Sequence, residues 1–229
     1  TLGMHRVYNS AFMHMLRDED NAGYRRVLRD TLEFDPEILK RYVNFMNNPD
    51  EKTAIEQFGT GDKYFGVATV LATMPGLPMV GHGQVEGFAE KYGMEFRRAY
   101  WDERPNDGLV ARHEWQLFPL CHRRRLFAEV RDFRFYDVVD DAGHVNEDVL
   151  AYSNRHGGDR SLVVYHNRFA SMGGRIRDSV AFAVKQPDGA KHLVRATLAE
   201  GLGLSDDPGA VVVYRDAVDG LEYIREVGD

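Results

Sequence analysis

Apolar and polar positions follow two different rhythms along the chain. Up to about residue 130, short apolar runs give way to amphipathic stretches, and the alternation repeats. Residues 5–9 (HRVYN) predict a buried strand, and residues 22–34 (AGYRRVLRDTLEF) predict a helix with Tyr24, Val27, Leu28 and Leu32 on one stripe. Pro36 stands where a new helical turn starts, with Asp35 as its N-cap. Residues 42–46 (YVNFM) read as the next strand. Residues 51–58 and 64–73 read as helical stretches broken near residues 59–61, and Pro75-Gly76 ends that unit. A third apolar strand at 77–80 runs into Gly81-His82-Gly83-Gln84. A long excursion over 88–109 precedes a strong helix at 112–130. Three successive strand, loop and helix units predict a parallel βαβ arrangement.

After about residue 131 the rhythm shortens. Strands are predicted at 133–139, 149–154, 161–166, 179–184, 192–197, 211–214 and 221–224. Turn chemistry divides them: Ala142-Gly143, Gly157-Gly158-Asp159, Pro187-Asp188-Gly189 and Asp207-Pro208-Gly209. Short strands at this spacing predict an antiparallel sandwich. The expected fold class is therefore α/β followed by all-β, with residues 1–130 and 131–229 as the two domains. No low-complexity linker joins them, so the second is expected to dock on the first.

Composition narrows the function classes. Apolar residues make up 43% of the 229 and aromatics 11%, enough for a packed core and incompatible with wholesale disorder. No run of about 18 apolar residues exists to span a bilayer as a helix, so no membrane partner is expected. With 29 basic and 36 acidic residues the net charge is −7, which argues against generic nucleic-acid binding. The single cysteine, Cys121, excludes an internal disulfide framework and a cysteine-rich zinc site. It fits a reducing compartment, and a cytoplasmic location is the expectation. The sequence opens Thr1-Leu2-Gly3-Met4-His5, with neither an initiator methionine nor a leader, and reads as a piece of a longer polypeptide or a trimmed one.

In a parallel α/β architecture, chemistry collects at the carboxyl ends of strands. Three such ends are legible: Tyr8-Asn9-Ser10, then Asn47-Asn48-Pro49-Asp50-Glu51, then His82-Gly83-Gln84 with Glu86 close behind. Each also has a structural reading. Asn-Pro-Asp is a good turn, Asp50 a good N-cap for the following helix, and His82 a plausible loop histidine. His113 with Glu114, and His122, read as solvated helix positions, and residues 123–125 as a salt-bridged basic surface. Cys121 reads as core, not nucleophile. No HExxH, CxxC, P-loop or GxSxG occurs, and Gly81-x-Gly83-x-x-x-Gly87 has the wrong spacing for a dinucleotide fingerprint. No metal and no cofactor is predicted.

The ordered set of strand ends resembles the α-amylase family of glycoside hydrolases. Phe45-Met46-Asn47-Asn48-Pro49-Asp50 is similar to the family's seventh-strand motif, Phe-x-x-Asn-His-Asp. About 30 residues on, Pro78-Met79-Val80-Gly81-His82-Gly83-Gln84 resembles the eighth-strand segment, and Val7-Tyr8-Asn9 with Phe12 the sixth-strand end. Val149-Leu150-Ala151-Tyr152-Ser153-Asn154-Arg155 and the hairpin from Gly158 to Asn167 resemble the opening of the family's C-terminal β-domain. The resemblance implies the last three βα units of a TIM (β/α)8 barrel plus an antiparallel β-sandwich. It implies an α-glucan or maltooligosaccharide substrate, with hydrolysis and glycosyl transfer both open. Asp50 matches the third acidic residue of the family's catalytic trio, which grips sugar hydroxyls as the transition state forms.

One departure stands out. The family's histidine before that aspartate is Pro49, which donates nothing. Asn48, Asn47 and His82 are the candidate replacement donors, and Asn9 a further substrate-binding candidate. The usual glutamate after Gly-Asp/Gln falls on Val85, so Glu86 is not assigned. The family's nucleophile and general acid come from the fourth and fifth strands, which would lie upstream of Thr1, as would the rest of the barrel. This chain alone is therefore expected to be inactive. Two alternatives stand beside the enzyme: a non-catalytic carbohydrate-binding or scaffold protein on a degenerate amylase fold, and an unrelated α/β protein with an appended sandwich. Tyr92, Phe96, Tyr100 and Trp101 crowd the excursion after the third strand, either to stack on sugar rings or to cement that loop.

Overall fold

The computed structural model describes residues 4–91, 97–205, 207 and 209–227. Strand β1 (Val7–Tyr8) leads into helix α1 (Ser10–Asp18), capped by the Asn9 side chain, and then α2 (Asn21–Phe34), capped by Asp20. The predicted Asp35 cap forms, accepting from Glu37 N at the head of a 3₁₀ turn over Pro36–Arg41. Strand β2 (Tyr42–Phe45) follows, then α3 (Ala54–Phe58), α4 (Asp62–Thr73) and β3 (Leu77–Met79). The three strands form one parallel sheet in chain order, with Tyr8 beside Val43 and Val43 beside Leu77. Parallel neighbours joined by helices are what the first rhythm predicts.

Two local expectations fail here. Residues 5–9 were expected to be a buried strand, but Val7 and Tyr8 are 44% and 55% exposed. They occupy an edge of the sheet, so only one flank has a neighbour. Helix α1 has no counterpart in the sequence reading, although its Phe12, Met13 and Leu16 are buried on one side.

The single helix expected at 112–130 is four pieces. Helix α5 (Asp107–Arg112) passes into a π-helical turn (His113–Leu117), then α6 (Phe118–His122) and α7 (Arg124–Phe127). Pro119 lacks the amide that a continuous helix would use, and sits in the first turn of α6, where it is tolerated. Residues 123–125 are not a uniform salt-bridged surface. Arg123 does pair with Asp159, but Arg124 turns inward and donates to the carbonyls of Ala72, Met74, Gly76 and Phe127. It thereby satisfies carbonyls that the end of α4 leaves open.

The later strands are antiparallel. Strands β4 (Arg134–Val139), β5 (Val149–His156), β6 (Asp159–His166) and β7 (Arg175–Ser179) form a sheet in the order β6-β5-β4-β7. Strands β8 (Phe182–Lys185) and β9 (Lys191–Val194) form one hairpin. After helix α8 (Leu198–Leu202), β10 (Val211–Arg215) and β11 (Glu222–Glu226) form another. The strand expected at 179–184 is two strands that change partner: Val180 N still bonds Phe135 O of β4 at 2.8 Å, in register with the Tyr136–Ser179 pair, and from Phe182 the chain pairs with β9. Helix α8, unpredicted, starts with a capping box between Thr197 and Glu200.

The two halves share a core, which runs from Leu16, Leu28, Phe45 and Phe65 to Leu150, Tyr152 and Phe182. Polar side chains pin the seam. Arg25, 2% exposed, pairs with Asp137 and donates to Val149 O at 2.8 Å. Asn167 donates to Leu16 O at 3.0 Å and to Asn21 Oδ1 at 2.7 Å, while Asn21 donates to Asp148 at 2.8 Å. The Thr73 and Tyr152 hydroxyls meet at 2.6 Å. Among the described residues no helix is long and apolar enough to cross a membrane.

Candidate functional site

The carboxyl end of β2 turns sharply because Asn48 makes it turn. Its side-chain oxygen accepts from Asp50 N at 2.9 Å and Glu51 N at 3.0 Å, and its backbone carbonyl accepts from Glu51 N at 3.2 Å. This folds Pro49 and Asp50 outward, where both are exposed. Asp50 is not the cap of the following helix; Thr53 is, accepting from Glu56 N. The Asp50 carboxylate has no hydrogen-bond or ion-pair partner among the described residues. Its backbone carbonyl accepts from Lys91 Nζ at 3.0 Å. Asp50 is a charged group on a fixed turn with its acceptor oxygens uncommitted.

The end of β3 comes alongside. Asn47 Nδ2 donates to His82 O at 3.4 Å, while Asn47 Oδ1 is buried and unpaired. Gly81 allows this approach, since a Cβ there would stand 2.4 Å from Asn47 Oδ1. His82 is exposed, its ring 6.2 Å from that of Phe88. Asn47, Asn48, Pro49, Glu51, His82 and Lys91 line a small cleft of about 40 Å³. A notch of that size holds hydroxyl groups, not a sugar ring. Glu51, one wall of it, is held by His14 Nε2 at 3.1 Å.

The candidates divide by role. Asn47 and His82 meet at the cleft, and Asp50 stands on the turn between two of its lining residues, Pro49 and Glu51. Asn48 shapes the turn, so its oxygen is committed to the backbone. Asn9 lies at the end of the neighbouring strand β1, where its Oδ1 accepts from Phe12 N at 3.3 Å to cap α1; its Nδ2 is buried and unpaired. Sequence reasoning missed His14 and Lys91, neither of which carries a motif. It also misplaced His113, which is fully buried and not solvated: Tyr64 OH is 3.2 Å from its Nε2, and burial holds its pKa below the usual imidazole value. Cys121 is packed against the core, and burial pushes its thiol up, as a non-nucleophilic cysteine requires.

Of the aromatic excursion, Tyr92, Glu95 and Phe96 lie outside the described residues. Tyr100 and Trp101 are exposed at 68% and 58%. Carboxylates brace the backbone of this loop. Glu90 accepts from Tyr100 N at 2.8 Å and Trp101 N at 3.0 Å, and Glu103 from Ala89 N at 2.7 Å. No group of three or more potential metal ligands occurs among the described residues.

No family model and no curated protein matches the chain. Solved structures do. A noncanonic maltogenic α-amylase AmyB from Thermotoga neapolitana covers 97% of this chain at 14% identity, with a TM-score of 0.56. The α-amylases of H.orenii and Lactobacillus plantarum cover 79% and 85% of it at 16% and 12% identity, with TM-scores of 0.48 and 0.47. The chain spans 46% of the Thermotoga enzyme's length. Its fold resembles the C-terminal part of that α-amylase.

Proposed function

We propose that this chain is the C-terminal segment of an α-amylase-like glycoside hydrolase or transglycosidase, acting on α-glucans or maltooligosaccharides by a retaining mechanism. On this reading residues 1–130 are the last three units of a (β/α)8 barrel and residues 131–229 a C-terminal β-sandwich. The rest of the barrel, with the nucleophile and general acid, is contributed by upstream sequence. The observation that carries the proposal is Asp50: an uncommitted carboxylate at the carboxyl end of the middle strand of a parallel sheet, on a turn that Asn48 fixes. The maltogenic amylase that shares the fold supports the choice of substrate.

Asp50 accepts hydrogen bonds from two hydroxyls of the sugar in the reactive subsite. Those bonds tighten as the ring flattens and positive charge develops at the anomeric centre. His82 and Asn47 supply the donor capacity that Pro49 removes. The upstream nucleophile forms the glycosyl intermediate, and water or a second sugar resolves it.

The test is release of reducing ends from maltoheptaose by the full-length polypeptide. Asp50→Asn is expected to abolish it while leaving the melting temperature in place, and a near-normal rate would refute the proposal. Pro49 favours one second reading, a sugar-binding protein on the same fold without chemistry. Calorimetric binding of maltoheptaose by a polypeptide that shows no turnover would select it.

A further inference from the structure

Among the described residues that line the cleft, Lys91 carries the one permanent positive charge. It stands on the excursion after β3 and reaches back to the turn at the end of β2, where its Nζ donates to the Asp50 carbonyl at 3.0 Å. A lysine ammonium ordinarily swings on a flexible stem, but the base of this one is fixed. Glu103 accepts from Ala89 N at 2.7 Å and from Glu90 N at 2.9 Å, the two amides that precede Lys91. Glu90 accepts in turn from Tyr100 N at 2.8 Å and Trp101 N at 3.0 Å. The outgoing and returning arms of the excursion are thereby clamped together, with Lys91 next to the clamp.

The acids of the cleft do not absorb the lysine's charge. Glu51 lies 3.1 Å from His14 Nε2, and Glu90 is spent on the two loop amides. Among the described residues Lys91 forms no ion pair and one hydrogen bond, which leaves ammonium protons to give. Donors are what this cleft is short of. Pro49 has no N–H, Asn47 Nδ2 gives a proton to His82 O, and the carboxylates only accept. A hydroxyl seated here meets acceptors and needs a donor, and a charged donor makes the stronger bond.

We propose that Lys91 is a substrate-binding residue: its ammonium donates to a hydroxyl of the sugar bound at this cleft and supplies a bond that Pro49 cannot make. The sugar rests on the function proposed above; the placement of the ammonium does not.

The experiment measures fluoride release by the full-length polypeptide from α-glucosyl fluoride and from its forms deoxygenated at each remaining hydroxyl in turn. Fluoride leaves from the anomeric carbon, so the one sugar present occupies the reactive subsite. Lys91→Met keeps the apolar stem and removes the donor. It is expected to lower kcat/KM on the parent fluoride about tenfold, the worth of one charge-assisted hydrogen bond. On the deoxy fluoride that lacks the partner hydroxyl it is expected to change little. Comparing variants on the same substrate cancels the intrinsic effect of deoxygenation. If Lys91 only ties the excursion to the Asp50 carbonyl, the loss is the same on every fluoride; that uniform loss, or no loss, overturns the assignment. Where wild type releases no fluoride, calorimetric binding of maltose and its singly deoxygenated forms decides by the same pattern: a selective loss supports the assignment, and a uniform loss or no binding overturns it. The two proposals fail separately. Full turnover of maltoheptaose in Asp50→Asn with a selective loss in Lys91→Met removes Asp50 and leaves Lys91, whereas lost turnover in Asp50→Asn with a uniform loss in Lys91→Met removes Lys91 alone.

Discussion

Buried asparagines serve opposite ends in the two regions of this molecule. At the seam, Asn21 and Asn167 bond each other, and between them bind Leu16 O, Asn167 O and Asp148. At the strand ends, Asn9 Nδ2 and Asn47 Oδ1 are buried without a partner. The first pair cross-links two elements with its capacity spent; the second keeps capacity in reserve where the chain meets a cleft. Unspent capacity does not by itself mark a site, because Asn154 in β5 has neither side-chain atom paired and lies at no cleft described here. What distinguishes Asn47 is its neighbourhood: an uncommitted carboxylate, an exposed imidazole and a notch.

This contrast can be broken by substitution. The largest effect expected is on turnover: Asp50→Asn lowers kcat/KM by roughly a thousandfold or more, about 4 kcal/mol of transition-state stabilisation, in the maltoheptaose assay. The same variant changes urea-unfolding stability by no more than about 0.5 kcal/mol. Arg25→Ala is the converse. It leaves Asp137 only the 3.6 Å pairing with Arg29 and takes a donor from two backbone carbonyls at the seam, and equilibrium unfolding should show a loss of about 3 kcal/mol. Should Arg25→Ala prove neutral, the seam is not the stability element described here. Asn48→Ala lies between the two kinds, since it leaves Asp50 N without its acceptor and Glu51 N with only the backbone carbonyl of residue 48. It should cost about 1–2 kcal/mol and raise KM together with it.

The smallest effect sharpens the seam by pH. Desolvation raises the Asp148 carboxyl pKa, but hydrogen bonds from Asn21 and Arg168 outweigh it, and the native value lies below the ordinary 3.8. A lowered native value means that the stabilisation is complete above the unfolded value and is lost as pH falls through the native one. Unfolding free energy of the wild type should therefore decline below about pH 4. In Asp148→Asn the decline should be shallower, as a pH series of urea melts would record.

Much of the molecule was legible where one local rule decides. Strands β2 and β3 are apolar runs closed by turn residues, and the Asp35-Pro36 cap forms where the pair stands. The sequence misleads where a distant partner decides. His113 and Arg124 look solvated in a stretch rich in charge, yet one is buried against Tyr64 and the other is drawn in by the carbonyls at the end of α4. Residues 179–184 read as one strand, but the chain changes partner within them, Val180 still bonding Phe135 of β4 and Phe182 pairing with Val194 of β9. In the candidate site, the position of Asp50 follows from a strand followed by Asn-Pro-Asp. Glu51's hold by His14 and the Lys91 tether on Asp50 follow only from tertiary placement.

The close passage of α4 beneath β6 carries a genetic consequence. At Gly66 a Cβ would stand 2.1 Å from the ring of Tyr165, and that ring is anchored, its hydroxyl bonded to Asn167 at 3.0 Å in the seam. The ring cannot yield without loosening Asn167. Every missense change in that codon adds at least one carbon, so a library covering all alleles at this position should return glycine almost alone after selection for folded protein. The constraint would be inherited with no chemistry at stake.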